Sequence, residues 1–182
     1  LPVAGVIVQG PRELHEIGIR VRRGGRCGRP RRDLLPAIDE VDAALGEKLS
    51  DLIWEGDIAE LTLTQNAQPA LMATSIAALR ALESEGMGLD QAQFVAGHSL
   101  GEYSALCAAG ALGLSDTARL LRVRGRAMQE AVPVGVGAMA AILGLASDKV
   151  IEGCQAAQAT FASGSPEVVE AVNFNDAAQT VI

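Results

Sequence analysis

After residue 34, apolar positions recur at helical spacing along most of the chain. Ile38, Val41, Ala44, Leu45 and Leu49 lie three or four apart, which predicts a helix followed by a short apolar piece at Leu52–Trp54. Leu71, Ile76, Leu79 and Leu82 mark a longer helix. Pro69 is read as its first helical position, and the helix is expected to end near Gly86. Phe94-Val95-Ala96 predicts a short buried strand, followed by a tight Gly-His-Ser-Leu-Gly turn and a helix through Tyr103 and Cys107. Ser115 is placed as the cap of a further helix running to about Ala131, ahead of Pro133. Beyond Gly137, Ala138–Leu145 reads as a strand, Asp148–Ala159 as a helix, and Val168–Phe174 and Thr180–Ile182 as strands. This alternation implies an α/β architecture with a second, small α+β unit that the C-terminus interrupts. No internal repeat is seen.

The first 32 residues break the pattern. Val3–Val8 suits a short strand, but Val21–Arg32 is rich in Arg and Gly and has no apolar period. Eight arginines against Glu13 and Glu16 give this head a net charge of +6, whereas residues 33–182 carry −13. An acidic body argues against nucleic acid as the main partner. The head could be a nucleic-acid-binding arm, a transit peptide or a stretch foreign to the ancestral fold. The two glutamates count against a transit peptide, and the third reading is preferred. Cys27, Cys107 and Cys154 are odd in number and lack metal-ligand spacing, so reduced thiols in a cytoplasmic protein are expected. The apolar runs Ala105–Leu114 and Val136–Ala146 are too short to span a bilayer, so no membrane role is expected.

Gly97-His98-Ser99-Leu100-Gly101 fits G-x-S-x-G. With nine serines and 20 glycines in the chain, roughly 0.1 such matches arise by chance, so the bare pattern is weak. Its setting between a short apolar strand and a helix strengthens it, because a nucleophile elbow needs that context. The glycines allow a sharp turn that presents Ser99, and the Leu100 N–H at the helix start can face a developing oxyanion. An incidental serine in a glycine-bounded turn is the plainer alternative. His98, a direct neighbour in so tight a turn, is expected to point away from the reacting face of Ser99 and is not read as the base. It is read as a packing or hydrogen-bonding residue. Glu102, in the first helical turn, is read as structural.

On the helix after Ser115, the positions Thr117, Leu120, Leu121, Arg124, Met128 and Ala131 form one stripe, with Arg122 and Arg126 roughly opposite. A guanidinium on an apolar stripe needs an anion. A protein carboxylate would serve, and so would a substrate carboxylate held by two parallel N–H···O bonds.

Gly97-His98-Ser99-Leu100-Gly101-Glu102-Tyr103-Ser104-Ala105-Leu106, preceded by Leu63-Thr64-Gln65-Asn66-Ala67-Gln68-Pro69-Ala70-Leu71, resembles malonyl-CoA:acyl carrier protein transacylases. Arg124-Gly125-Arg126-Ala127-Met128-Gln129-Glu130-Ala131, Gly137-Ala138-Met139-Ala140-Ala141 and Val172-Asn173-Phe174-Asn175 extend the likeness, which covers about Ile38 to Ile182. It implies an α/β-hydrolase-like acyltransferase core, here incomplete, with a partial ferredoxin-like subdomain. The implied divisions are 1–35 as a basic non-family segment, 36–135 as core and 136–182 as the start of the subdomain. It further implies that Ser99 takes malonyl from malonyl-CoA and passes it to the phosphopantetheine thiol of acyl carrier protein. CoA is then part of a substrate, with no permanent cofactor and no metal. Arg124 would pair with the malonyl carboxylate, Leu100 would give one oxyanion N–H, and Gln68, His98 and Asn175 would line the substrate site. Acyltransferase domains of polyketide synthesis share these features, and a serine hydrolase or thioesterase of the α/β-hydrolase type is the other alternative.

Some family features are displaced or missing. Relatives carry a Pro-Gly-Gln-Gly-Ser-Gln loop near the N-terminus; here the region reads Val8-Gln9-Gly10-Pro11-Arg12. Ala177-Ala178 stands where Pro-Gly is usual. Neither His15 nor His98 aligns with the general-base histidine, expected beyond Ile182. The chain is therefore expected to be an incomplete copy, impaired in transfer, with a frame shift as the simplest origin of its head. Translating the encoding DNA in its other frames tests that origin, and failure to find the loop in any of them counts against it.

Overall fold

The computed structural model describes residues 6–9, 14–17, 35–164 and 166–182. The Arg/Gly-rich segment Val21–Arg32 and Cys27 lie outside the described residues. The chain falls into two units, Leu1–Val132 and Pro133–Ile182.

The first unit contains β1 (Val6–Gln9), β2 (Leu14–Ile17), α1 (Leu35–Leu45), α2 (Leu49–Glu55), α3 (Ile58–Leu61), α4 (Thr64–Ser84), β3 (Phe94–Gly97), α5 (Leu100–Ala108) and α6 (Leu114–Ala131). Its core is helical. Ile38 and Val41 of α1, Met72, Ala73 and Ile76 of α4, and Ala118 and Leu121 of α6 form one buried apolar cluster. With 3% aromatic residues in the chain, small and branched side chains make this core, and they let the helices approach closely. Gly46, at φ 67°, ends α1, and the buried Asp42 carboxylate accepts hydrogen bonds from Ser50 N at 2.9 Å and Ser50 Oγ at 2.6 Å. These bonds turn the expected single helix into α1 and α2, with Leu49 in the second. The α4 helix stops at Ser84 just before Gly86, whose φ of 84° suits the residue past a helix end.

Three strands form a sheet in the order β2-β1-β3, with β1 antiparallel to both neighbours; Val6 pairs with Gly97 and Gln9 with Phe94. The strand at Phe94 is present but is not buried, since Phe94 is 69% exposed. Only α5 among the described helices packs closely on β3, and a strand is buried on both faces only when a layer covers each of them.

Three further expectations change. The long helix begins at Thr64, so Pro69 lies inside it. Gly113 occupies the cap position of α6, because Leu114, only 5% exposed, is drawn into the core and pulls Ser115 into the first turn. The buried face of α6 comprises Leu114, Thr117, Ala118, Leu121, Arg122 and Gly125, whereas Leu120 and Met128 are each 45% exposed. That face is turned by roughly 80° from the expected stripe. The reason is tertiary: α6 packs against α1 and α4 together, so its inner face points between them.

The second unit contains β4 (Ala141–Leu143), α7 (Ser147–Gln158), β5 (Asn173–Asp176) and β6 (Gln179–Val181). Its antiparallel sheet runs β4-β6-β5. β4 and β5 are shorter than expected, while β6 keeps its expected length one residue earlier; the stretch before Asn173 is held instead by Gln158, which accepts from Val169 N at 2.9 Å and donates to Glu167 O at 2.9 Å. Cys107 and Cys154 are free thiols, and burial pushes the Cys107 thiol above its ordinary value. No described helix is long and apolar enough to cross a membrane.

Candidate active site

Ser99 joins β3 to α5 with φ 55° and ψ −116°, and among the described residues it is the only non-glycine with positive φ. A serine held there is strained, and such strain persists only where the surroundings impose it. Gly97 imposes it from one side: a Cβ at that position would lie 1.9 Å from the Gly101 carbonyl oxygen. The strand end thus runs against the first turn of α5, an approach open only to glycine. Ser99 is left exposed at the apex. Leu100 buries its side chain and stands at the first helical position, where no carbonyl of α5 can accept its N–H. Together these features present a hydroxyl beside an amide dipole at a helix N-terminus.

Arg124 comes to this hydroxyl from α6. Its Nη2 donates to Ser99 Oγ at 3.2 Å, its Nη1 donates to Gln68 Oε1, and its Cζ lies 5.9 Å from the Tyr103 ring centroid. Gln68 is 3% exposed, and its Nε2 donates to Thr64 Oγ1 at 2.8 Å and to Met128 Sδ at 3.3 Å. The amide orientation follows from chemistry, since sulfur only accepts and guanidinium only donates. Gly125 makes the assembly possible: a Cβ there would stand 2.6 Å from Gln65 Cα, so α6 crosses the start of α4 backbone to backbone. Gln129 Oε1 accepts from Thr64 N at 3.3 Å, capping α4 from α6.

This chain belongs to the acyl transferase domain family. The family profile, described as "Acyl transferase domain", matches residues 32–181. The malonyl CoA-acyl carrier protein transacylase of Bacillus subtilis (strain 168) is 57% identical, over 63% of this chain and 37% of that protein. The crystal structure of acyl-carrier-protein-S-malonyltransferase from Bartonella henselae is similar with a TM-score of 0.72 and 51% identity, covering 82% of this chain and 46% of that one. A malonyl-transacylase in complex with its type II PKS acyl-carrier protein matches with a TM-score of 0.71 and 39% identity, over 81% of this chain and 45% of that one. The chain spans less than half the length of each of these relatives. Its α/β organisation is that of the malonyltransferase structures it matches.

Set against the family expectations, Ser99, Leu100, Arg124 and Gln68 are brought together. Gln68 has both ends of its amide bonded within the protein, so it faces Arg124 rather than open space. His98 is exposed, and its ring has no hydrogen-bond partner among the described residues, unlike the packed or hydrogen-bonded histidine expected. The tight turn sends its backbone carbonyl to Gly101 N at 2.8 Å and its side chain to solvent. Asn175 belongs to the second unit, where its Nδ2 donates to Gln179 Oε1 at 3.0 Å across the β5–β6 hairpin.

Helical periodicity missed one residue. Arg122, expected opposite the apolar stripe, is 7% exposed. Its Nη1 donates to Gln65 O at 2.6 Å and also to Asn66 Oδ1, and its Nη2 pairs with Glu47. Its Nε has no partner among the described residues. Burial pushes the guanidinium below its ordinary value, and the Arg126 charge acts the same way. The signal that could have found it is Pro69, whose missing N–H leaves a helical carbonyl in need of a donor.

Proposed function

We propose that this chain is part of a malonyl-CoA:acyl carrier protein transacylase in which Ser99 carries the malonyl group. One observation supports this above the others: the Arg124 guanidinium stands 3.2 Å from Ser99 Oγ. A serine at a strained elbow suits many acyl transfers and hydrolyses. A cation beside it favours an acyl group that ends in a carboxylate, held by parallel charge-assisted bonds.

In the first half-reaction Ser99 Oγ attacks the thioester carbonyl of malonyl-CoA, and the Leu100 N–H faces the charge that develops on oxygen. The C–S bond breaks and CoA leaves as its thiol, carrying the proton that a base takes from Oγ. In the second, the phosphopantetheine thiol of acyl carrier protein attacks the seryl ester, the C–Oγ bond breaks, and Ser99 regains a proton. CoA enters only as part of a substrate. Arg124 donates hydrogen bonds and cannot accept the serine proton. No imidazole or carboxylate bonds to Ser99 Oγ among the described residues, so loading by this chain is expected to be slower by several orders of magnitude than in a site with a base.

On the same reading, residues 36–135 are part of an α/β-hydrolase-like core, residues 136–182 begin a ferredoxin-like subdomain, and residues 1–35 are a basic segment foreign to the family, although β1 and β2 within it share a sheet with β3 of the core. Supporting the subdomain, β4 and β5 both run antiparallel to the intervening β6 and are joined through α7, a split βαβ arrangement. Asn175 is kept as a substrate-binding residue on the strength of the family likeness, and acyl carrier protein is the partner.

Intact-protein mass spectrometry after incubation with malonyl-CoA or acetyl-CoA tests this function. A slow malonyl ester is expected, absent in Ser99→Ala, and the preference for malonyl over acetyl should fall about 10–100-fold in Arg124→Ala. Equal loading of both acyl groups, with and without Arg124, would instead support a serine hydrolase and overturn the proposal.

A further inference from the structure

Pro69 is the sixth residue of α4. It has no N–H, so the carbonyl four residues back, that of Gln65, lacks the donor a continuous helix would give it. Arg122 Nη1 donates to that oxygen at 2.6 Å. The same side chain also engages Asn66 Oδ1 and Glu47, and Asn66 Nδ2 in turn donates to Glu60 O at 2.9 Å. A buried cation therefore stands where one backbone N–H is missing, and it ties the opening turn of α4 to α6 and to the segment after α1.

That turn carries Thr64, which orients Gln68, and Gln68 presents its carbonyl to Arg124. Arg122 lies one turn from Gly125, where the two backbones touch. Any shift of the α4 opening away from α6 thus withdraws Gln68 from Arg124. We propose that Arg122 is a positioning residue: it replaces the helical hydrogen bond removed by Pro69 and so holds Gln68 against Arg124, which aims the Arg124 guanidinium at Ser99. The consequence for substrate choice rests on the function proposed above; the coupling between Arg122, Pro69 and Arg124 does not. A solely structural ion pair between Arg122 and Glu47 would support the fold without regard to Pro69 or Arg124.

The test is a double-mutant cycle in the 182-residue chain, combining Arg122→Met with Pro69→Ala, which returns an N–H to Gln65 O. Two quantities are measured: guanidinium rotation of Arg124 by nitrogen-15 NMR, and the dissociation constant for malonate followed on the same signals. In Arg122→Met the rotation should quicken and malonate binding weaken, each by roughly tenfold. Adding Pro69→Ala should recover most of both changes. If folded Arg122→Met leaves the Arg124 signals unchanged, or if the two substitutions act independently, the proposal is overturned. Should Arg122→Met fail to fold, Glu47→Ala removes the ion pair at a half-exposed position. A smaller change of the same kind is expected there, and unaltered Arg124 signals would overturn the proposal. Malonate that leaves Arg124 undisturbed in the wild type counts against the malonyl reading alone, because the rotation rates still judge the coupling.

Discussion

Through its middle and C-terminal half, α4 contributes Met72, Ala73, Ile76 and Ala77 to the apolar cluster shared with Ala118 and Leu121 of α6. The buried hydroxyls there, those of Ser75 and Thr117, are returned to Leu71 O and Gly113 O, each at 2.8 Å and each four residues back. At its opening turns the same helix meets α6 through Thr64, Gln65, Asn66 and Gln68, bonded to Gln129, Arg122 and Arg124. The difference is one of kind. Apolar burial is non-directional and scales with area, so it stabilises without choosing an angle. Hydrogen bonds to guanidinium groups have fixed lengths and directions, so they choose an angle at the expense of burying charge. One helix pair thus holds the fold together at one end and aims a side chain at the other.

Substitutions should separate the two. Leu121→Ala, at a fully buried position, is expected to lower stability by about 3 kcal/mol in urea denaturation, while the malonyl-over-acetyl preference of the folded fraction stays as it was. Gly125→Ala attacks the polar end. Its Cβ would meet Gln65 Cα at 2.6 Å and Thr64 O at 2.8 Å, so the helices must part. A loss of about 1–3 kcal/mol is expected, together with a fall in that preference read by mass spectrometry; a preserved preference would mean that the crossing does not aim Arg124. Phe94→Ala touches neither end. With the ring 69% exposed, its thermal unfolding should correspond to a change within about 0.5 kcal/mol, and a larger effect would show that β3 is covered by something beyond the described residues.

The elbow is legible in the residue order itself. Gly97 and Gly101 around Ser99, set between Phe94 and Leu100, announce a strand turning sharply into a helix, and the structure has that turn with Ser99 at φ 55°. The end of α6 at Ala131, before Pro133, was equally legible, because proline cannot continue a helix. The opening of α4 was not. Pro69 read as a start because a proline inside a helix orphans a carbonyl, and nothing nearby in sequence supplies the donor. The donor is Arg122, 57 residues away from Gln65 in the chain.

What the sequence by itself determined is local: the elbow with its serine, the period of each helix, the residues at which several helices stop, and the family likeness carried by those motifs. Periodicity placed Arg124 on the apolar stripe and Arg122 opposite it, and so took a face about 80° away from the buried one to point inward, because the stripe does not record that two helices share the contact. Only the tertiary structure decided that. Packing on α1 and α4 together turned Arg122 into the core to satisfy Gln65, and the glycine-thin crossing at Gly125 brought Gln68 and Ser99 within reach of Arg124.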